Sequence, residues 1–139
     1  MRRTFLYAKL HQAAVTGAEL DYEGSFGIDE EILEASGILP NEQIQVYNVN
    51  NANRFTTYAI AAKRGSREMC ANGACAHLVS KGDRVIICSY AELEVNEQAS
   101  HNPTVLFLDK DNNFRLKETL ISKEKNVLKQ TTKALAGVT

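Results

Sequence analysis

Long apolar runs are missing from this chain. Nowhere does a stretch approach the ~20 residues that a membrane-spanning helix needs. Dense lysine and arginine runs interleaved with aromatics are missing too, and the formal net charge is -1. Nucleic acid and anionic membrane are therefore not expected as partners. Cysteine is scarce: Cys70, Cys75 and Cys88 are an odd number without a CxxC pair. That pattern favours free thiols in a reducing compartment over a disulfide framework or a zinc site. The start, Met1-Arg2-Arg3, is basic, but Lys9, His11 and Gln12 interrupt anything like the core of a secretory leader. A cytoplasmic protein is the expectation.

What is present fits one globular domain: 139 residues, 44% hydrophobic and 24% charged. A domain of this size buries only about two-thirds of its unfolded surface, so self-association is a natural source of further burial. Residues 4–11 alternate as a strand, with Phe5, Tyr7, Lys9 and His11 on one face and Leu6, Ala8 and Leu10 on the other. The glycines of Glu23-Gly24-Ser25-Phe26-Gly27 predict a loop. A short helix should follow, capped by Asp29, with Glu30 and Glu31 in its first turn and Gly37 just past its end. Residues 44–49, 55–62 and 85–90 suit strands, Asn72-Gly73 suits a hairpin turn, and 105–108 with 114–116 suit a hairpin across Asp111-Asn112-Asn113. Short strands and frequent turns predict a small β-barrel over residues 1–120. Residues 37–46 are echoed by 82–87 (glycine, acidic residue, apolar strand), which suggests two related halves. Residues 121–139 carry Lys123, Lys125, Lys129 and Lys133 among sparse apolar residues and are expected to be a frayed or weakly helical tail.

The chemistry begins at Gly24-Ser25. A serine Oγ lies within reach of the carbonyl of the residue before it. In a strained backbone it can attack that carbonyl and convert the amide to an ester, and a glycine there tolerates the required torsions. The ester can then undergo β-elimination, leaving dehydroalanine, whose hydrolysis gives an N-terminal pyruvoyl ketone. A Gly-Ser pair alone carries no such meaning; the surrounding residues supply it. Leu20-Asp21-Tyr22-Glu23-Gly24-Ser25 with Ile28-Asp29, the upstream Lys9-Leu10-His11, Asn48-Val49, Arg54-Phe55, Thr57-Tyr58-Ala59-Ile60-Ala61-Ala62, Arg64-Gly65-Ser66-Arg67, Asn72-Gly73-Ala74 with Ala76-His77, and Gly82-Asp83 with Val85-Ile86-Ile87 occur in one order and spacing. Over residues 2–116 the chain thereby resembles the pyruvoyl-dependent aspartate 1-decarboxylases.

The resemblance implies a double-psi β-barrel, a homotetramer with sites at subunit boundaries, and self-cleavage between residues 24 and 25. It also implies conversion of L-aspartate to β-alanine and CO2 for pantothenate and coenzyme A synthesis. The cofactor it implies is a pyruvoyl group made from Ser25, which forms a Schiff base with the substrate, without metal or pyridoxal phosphate. Carried over residue by residue, Lys9 and Arg54 would bind the substrate carboxylates, a task that suits the arginine fork. Tyr58 would protonate the carbanion, since a phenol keeps its proton at neutral pH. Thr57 would assist the acyl shift at the oxyanion and touch substrate. Asn72, Gly73, Ala74 and Cys75 would line the site with His11, and Tyr22 and Tyr47 would stand nearby. Tyr47 replaces a frequent tryptophan of the family and Cys75 a frequent alanine. Whether maturation is autonomous or uses a helper protein, and whether glutamate is also a substrate, is open in the sequence.

Taken singly, each residue has an ordinary structural reading: Lys9 a solvated strand lysine, Arg54 an ion-pair partner, Tyr58 a half-buried barrel residue, Cys70 and Cys75 small buried hydrophobes. Two other functions stand beside the decarboxylase. One is a barrel that serves only as a binding scaffold and never cleaves. The other is a hydrolase with Ser25 or Cys75 as nucleophile and His11 or His77 as base. Strict alternation along 54–62 also puts Thr57 and Tyr58 on opposite faces, so one site using both needs a bulge or a subunit boundary.

Overall fold

Alternation of apolar and polar residues marks the clearest of the chain's strands. In β4 (Gln43–Asn48), Ile44, Val46 and Asn48 point into the core while Gln43, Gln45 and Tyr47 face out. The computed structural model describes residues 1–117; the tail expected at 121–139 lies outside them. In chain order the other elements are β1 (Arg3–Ala14), β2 (Gly17–Glu19), β3 (Phe26–Asp29), α1 (Glu30–Ser36), β5 (Arg54–Ala62), β6 (Met69–Asn72), a 3-10 turn (Gly73–His77), β7 (Arg84–Leu93), α2 (Val95–Gln98), β8 (Thr104–Leu108) and β9 (Phe114–Leu116). Among the described residues the nine strands form one mixed sheet, ordered β2-β6-β3-β5-β4-β7-β1-β8-β9. It curls around Leu10, Phe26, Ile28, Ile32, Ile44, Val46, Met69, Val85, Ile87 and Leu106, all buried. Burial of each such side chain contributes roughly 1.5–3 kcal/mol. The architecture is the double-psi β-barrel that the resemblance implies.

Two related halves are visible in the pairing. Outward from the central antiparallel pair β4–β7, each side runs antiparallel (β5, β1), then parallel (β3, β8), then antiparallel (β6, β9). The loops entering β4 and β7 are closed alike. The Leu39 amide donates to Glu42 and the Glu42 amide to Leu39 O; the Ser80 amide donates to Asp83 and the Asp83 amide to Ser80 O. The structural counterpart of Gly82 (φ 94°) is therefore Asn41 (φ 71°), not Gly37 as the sequence alignment has it.

Asp29 does cap α1, accepting from the Glu31 amide at 2.9 Å, and Gly37 ends it in the left-handed region. Asp29 also accepts from the Gly65 and Arg67 amides and the Arg67 guanidinium, fully buried. Burial alone raises its pKa, but the three amides and the guanidinium outweigh that and hold the carboxyl below its ordinary range. Buried Asn112 joins distant parts of the curl: it accepts from the Ala14 amide and donates to Ala14 O and Arg67 O.

The expected 105–108/114–116 hairpin is present as β8–β9. Two expectations change. Asn72-Gly73 does not turn a hairpin; Asn72 ends β6 and Gly73, at φ 69°, opens the 3-10 turn, because β6 pairs with β2 and β3 and not with the strand that follows it. The Glu23–Gly27 loop ends early, since Phe26 already pairs with Ala59 and Ala71. β3 is flanked on both sides and wholly buried, so it has no alternation to read.

Candidate active site

The open edge of one strand makes the site. β5 pairs with β4 through residues 54–58 but with β3 only from Ala59 onward. Before Phe26 the chain leaves β5, and Gly24 and Ser25 line one cavity with Thr57 and Tyr58. A cavity of about 380 Å³ fills that gap. It is lined by Tyr22, Gly24, Ser25, Phe55, Thr56, Thr57, Tyr58, Asn72, Gly73, Ala74, Cys75 and Leu78. The β4–β5 register is unbroken from Tyr58 to Arg54, so no bulge brings Thr57 and Tyr58 together. At an unpaired edge, side chains from both faces of β5 border the same groove.

Backbone geometry at the Gly-Ser pair is unusual. Gly24 sits at φ 85°, and a Cβ there would come within 2.8 Å of Ile60 Cδ1. A Cβ on Gly73 would make only ordinary contacts, 3.6 Å from Tyr22 O and 3.8 Å from Gly24 O, so its φ of 69° is what favours glycine there. Ser25 O accepts the Asn72 amide at 2.7 Å and lies 3.4 Å from Cys75 Sγ. Cys75 Sγ is also 3.2 Å from Asn72 O. Burial pushes the Cys75 thiol up against the opposing pull of the Asn72 backbone, the Ser25 side chain and its own backbone, so it stays protonated. His77 is exposed. A buried, proton-bearing thiol that donates to carbonyls is a poor nucleophile, which weakens the Cys75–His77 hydrolase reading.

Lys9, His11, Tyr47 and Arg54 do not line this cavity. The Arg54 guanidinium lies over the Tyr47 ring, 4.2 Å from its centre, on the outer face of the sheet. The Tyr47 hydroxyl meets Gln45 at 2.7 Å and the Tyr90 hydroxyl at 2.8 Å. Lys9 opposes Cys88, which opposes Gln45, which opposes Thr56. Lys9 and Arg54 both act electrostatically on the Cys88 thiol, although burial is what dominates and raises it. Neither cation forms an ion pair among the described residues. His11 stands apart, edge-on to Phe107 at 5.4 Å, with Nδ1 buried and unpartnered among the described residues. Burial first, then Lys9, Lys117 and Arg84, lower its pKa, so it is neutral at pH 7.

The chain therefore carries two groups: Ser25 with Tyr22, Gly24, Thr57, Tyr58, Asn72, Gly73, Ala74 and Cys75 in one cavity, and Lys9, Tyr47 and Arg54 on an open face. Sequence reasoning missed Phe55, Thr56 and Leu78 in the cavity wall and Tyr90 beside Tyr47. Phe55 and Thr56 were legible as neighbours of Thr57 on an edge strand; Leu78 had no signal.

Comparison with known proteins covers nearly all of these residues. The sequence profile of the aspartate decarboxylase family matches residues 1–115. An aspartate 1-decarboxylase of Psychromonas ingrahamii is 54% identical over 114 residues, 82% of this chain and 90% of the relative. The aspartate 1-decarboxylase of Maricaulis maris is 55% identical over 112 residues, 81% and 93%. That of Caulobacter vibrioides is 54% identical over 112 residues, 81% and 95%.

Proposed function

Since the chain belongs to the aspartate decarboxylase family, we propose that it cuts itself between Gly24 and Ser25 and then decarboxylates L-aspartate to β-alanine and CO2. The observation that carries this reading is the glycine-framed Gly24-Ser25 bond at one wall of a cavity whose other walls hold Thr57, Tyr58 and Asn72. On this reading the enzyme works in the cytoplasm as a homotetramer and supplies pantothenate synthesis.

The surroundings fit a pyruvoyl group at position 25. Gly24 and Gly73 both hold positive φ beside the cut, Ser25 O is anchored by the Asn72 amide, and Ser25 lines the cavity. When formed, the ketone supplies the electron sink that decarboxylation of an α-amino acid requires. Thr57, which lines the cavity with Gly24, donates to the oxyanion that the acyl shift creates on the Gly24 oxygen. Tyr58 holds a phenolic proton at the mouth of the cavity for delivery to the substrate Cα. Asn72, Gly73 and Ala74 line the cavity together with β5.

Lys9 and Arg54 take the substrate carboxylates from a neighbouring subunit. Lys9 is three strands from β5, about 14 Å along the sheet, beyond the reach of its own side chain to a molecule bound at its own Ser25. Arg54 lies four residues along β5 from Tyr58, about 13 Å. A second copy that lays its Lys9–Arg54 face over the Ser25 cavity brings the two groups together, and Tyr58, bordering both, sits at the seam. His11, neutral and packed on Phe107, contributes shape and not charge.

The test is incubation of the purified chain with L-aspartate, measuring β-alanine and the masses of the denatured chains together. A scaffold gives an uncut chain and no product. A hydrolase gives no β-alanine whether or not the chain is cut.

A further inference from the structure

One backbone oxygen near the cut takes two donors. Ser25 O accepts the Asn72 amide, which extends the β3–β6 ladder one step past Phe26 and Ala71, and it also faces the Cys75 thiol. A strand carbonyl is satisfied by one donor; the second is a side chain that the fold does not require there. The thiol has a single proton and two acceptors in reach, Asn72 O at 3.2 Å and Ser25 O at 3.4 Å.

The structure assigns Cys75 a part in maturation: with the Asn72 amide it forms a two-donor pocket that stabilises charge on the Ser25 carbonyl oxygen during β-elimination. This rests on the reading that Gly24-Ser25 is cut. Once the ester between Ser25 Oγ and the Gly24 carbonyl has formed, the Ser25 Cα–H bond breaks and its proton passes to water. The electron pair spreads from Cα onto the Ser25 carbonyl oxygen. It then forms the Cα=Cβ bond as Cβ–Oγ breaks, so that Gly24 leaves as a carboxylate and residue 25 remains as dehydroalanine.

The preceding acyl shift puts its charge elsewhere, on the Gly24 oxygen. Donors on Ser25 O thus act on the elimination and not on the shift. As charge grows on Ser25 O, the S–H turns to it from Asn72 O, so the interaction is stronger in the transition state than before it, which is what raises a rate. The burial that keeps this thiol protonated supports the role, because a thiolate has no proton to give and would repel the enolate.

The test uses full chains purified uncut in the cold and then warmed, with timed samples quenched in hydroxylamine. Hydroxylamine opens the ester and leaves a serine-ended large fragment, whereas in eliminated molecules it condenses with the ketone, with loss of water, to an oxime-ended one; mass mapping of the N-terminal peptide separates the two. Cys75→Ala should slow elimination roughly three- to tenfold, one hydrogen bond's worth, and raise the serine-ended fraction while the acyl shift keeps its rate. Cys75→Ser, which keeps a donor, should restore the partition, and melting temperatures measured in parallel should stay close to that of the unchanged chain. A Cys75→Ala partition equal to that of the unchanged chain overturns the assignment, as does slowing of the acyl shift with no change in partition. An unchanged chain that never cuts overturns the underlying reading of Gly24-Ser25, a result distinct from either.

Discussion

Replacing Gly24 by alanine separates two demands that the structure makes at the cut. The first is conformational: φ is 85°, and holding a non-glycine residue in that region costs about 1–3 kcal/mol. The second is steric: the new Cβ would meet Ile60 Cδ1 at 2.8 Å. That atom ends a flexible side chain, so it can move aside, at about 0.5–1.5 kcal/mol if the rotamer is forced off its minimum. Together they cost roughly 2–4 kcal/mol, which lowers the melting temperature or is relieved by moving the loop. Either way Ser25 Oγ leaves its place by the Gly24 carbonyl, and misplacement on the order of 1 Å costs about a hundredfold in rate. Timed intact-mass measurement should therefore find cleavage slowed by about that factor. Ile60→Val removes Cδ1, so the double variant Gly24→Ala with Ile60→Val should recover the steric share of the melting-temperature loss and little of the cleavage rate. Gly24→Ala cut at the normal rate, with unchanged melting temperature, refutes the reasoning.

Thr57→Val should slow cleavage about a hundredfold, since one lost oxyanion donor is worth on the order of 2.7–4 kcal/mol, whereas Tyr58→Phe should cut normally and lose β-alanine production; the opposite pattern on the same preparations reverses the two roles. Arg54→Ala should lower kcat/KM for aspartate roughly ten- to a hundredfold, about 1.5–3 kcal/mol for a lost charged hydrogen bond, and unaltered kinetics remove Arg54 from the site. If sites are shared between copies, Lys9→Ala and Ser25→Ala chains, each inactive, should regain roughly a quarter of normal activity when co-expressed, from random pairing in a closed oligomer; no recovery places both groups in one chain. The lowered pKa of Asp29 fixes a sign as well: its contribution is present above the ordinary carboxylate pKa and is lost as pH falls through the folded value. Asp29→Asn should thus destabilise at pH 7 by about 1–3 kcal/mol and flatten the acid side of a stability-against-pH curve, and an unchanged acid side contradicts the four-donor account of Asp29.

Much of the fold was legible where one face is buried and the other is not. The β4 pattern, the β8–β9 hairpin, the Asp29 cap and the Gly37 stop follow local rules, and each is found. β3 and β6 were illegible because strands flanked on both sides bury both faces, leaving no period in Phe26-Gly27-Ile28-Asp29. The turn signal at Asn72-Gly73 was real as a demand for positive φ, but that demand is met by a 3-10 turn facing the Gly24 carbonyl. At the site, the residue types came from resemblance and the grouping came from structure. Alternation along β5 predicted a conflict between Thr57 and Tyr58 that the open strand edge resolves, an arrangement no local pattern encodes. Likewise, Cys75 against Ser25 O is a long-range contact that spacing alone does not reveal, and Tyr47 beneath Arg54 follows from the β4–β5 register.

The most direct measurement is the intact mass of the purified, denatured chain. The account predicts two species, residues 1–24 ending in a free carboxylate and residues 25–139 lighter by one ammonia than a serine-ended fragment, because the N-terminal group is a ketone. A single uncut chain, or a large fragment bearing a serine amine after long incubation, contradicts it.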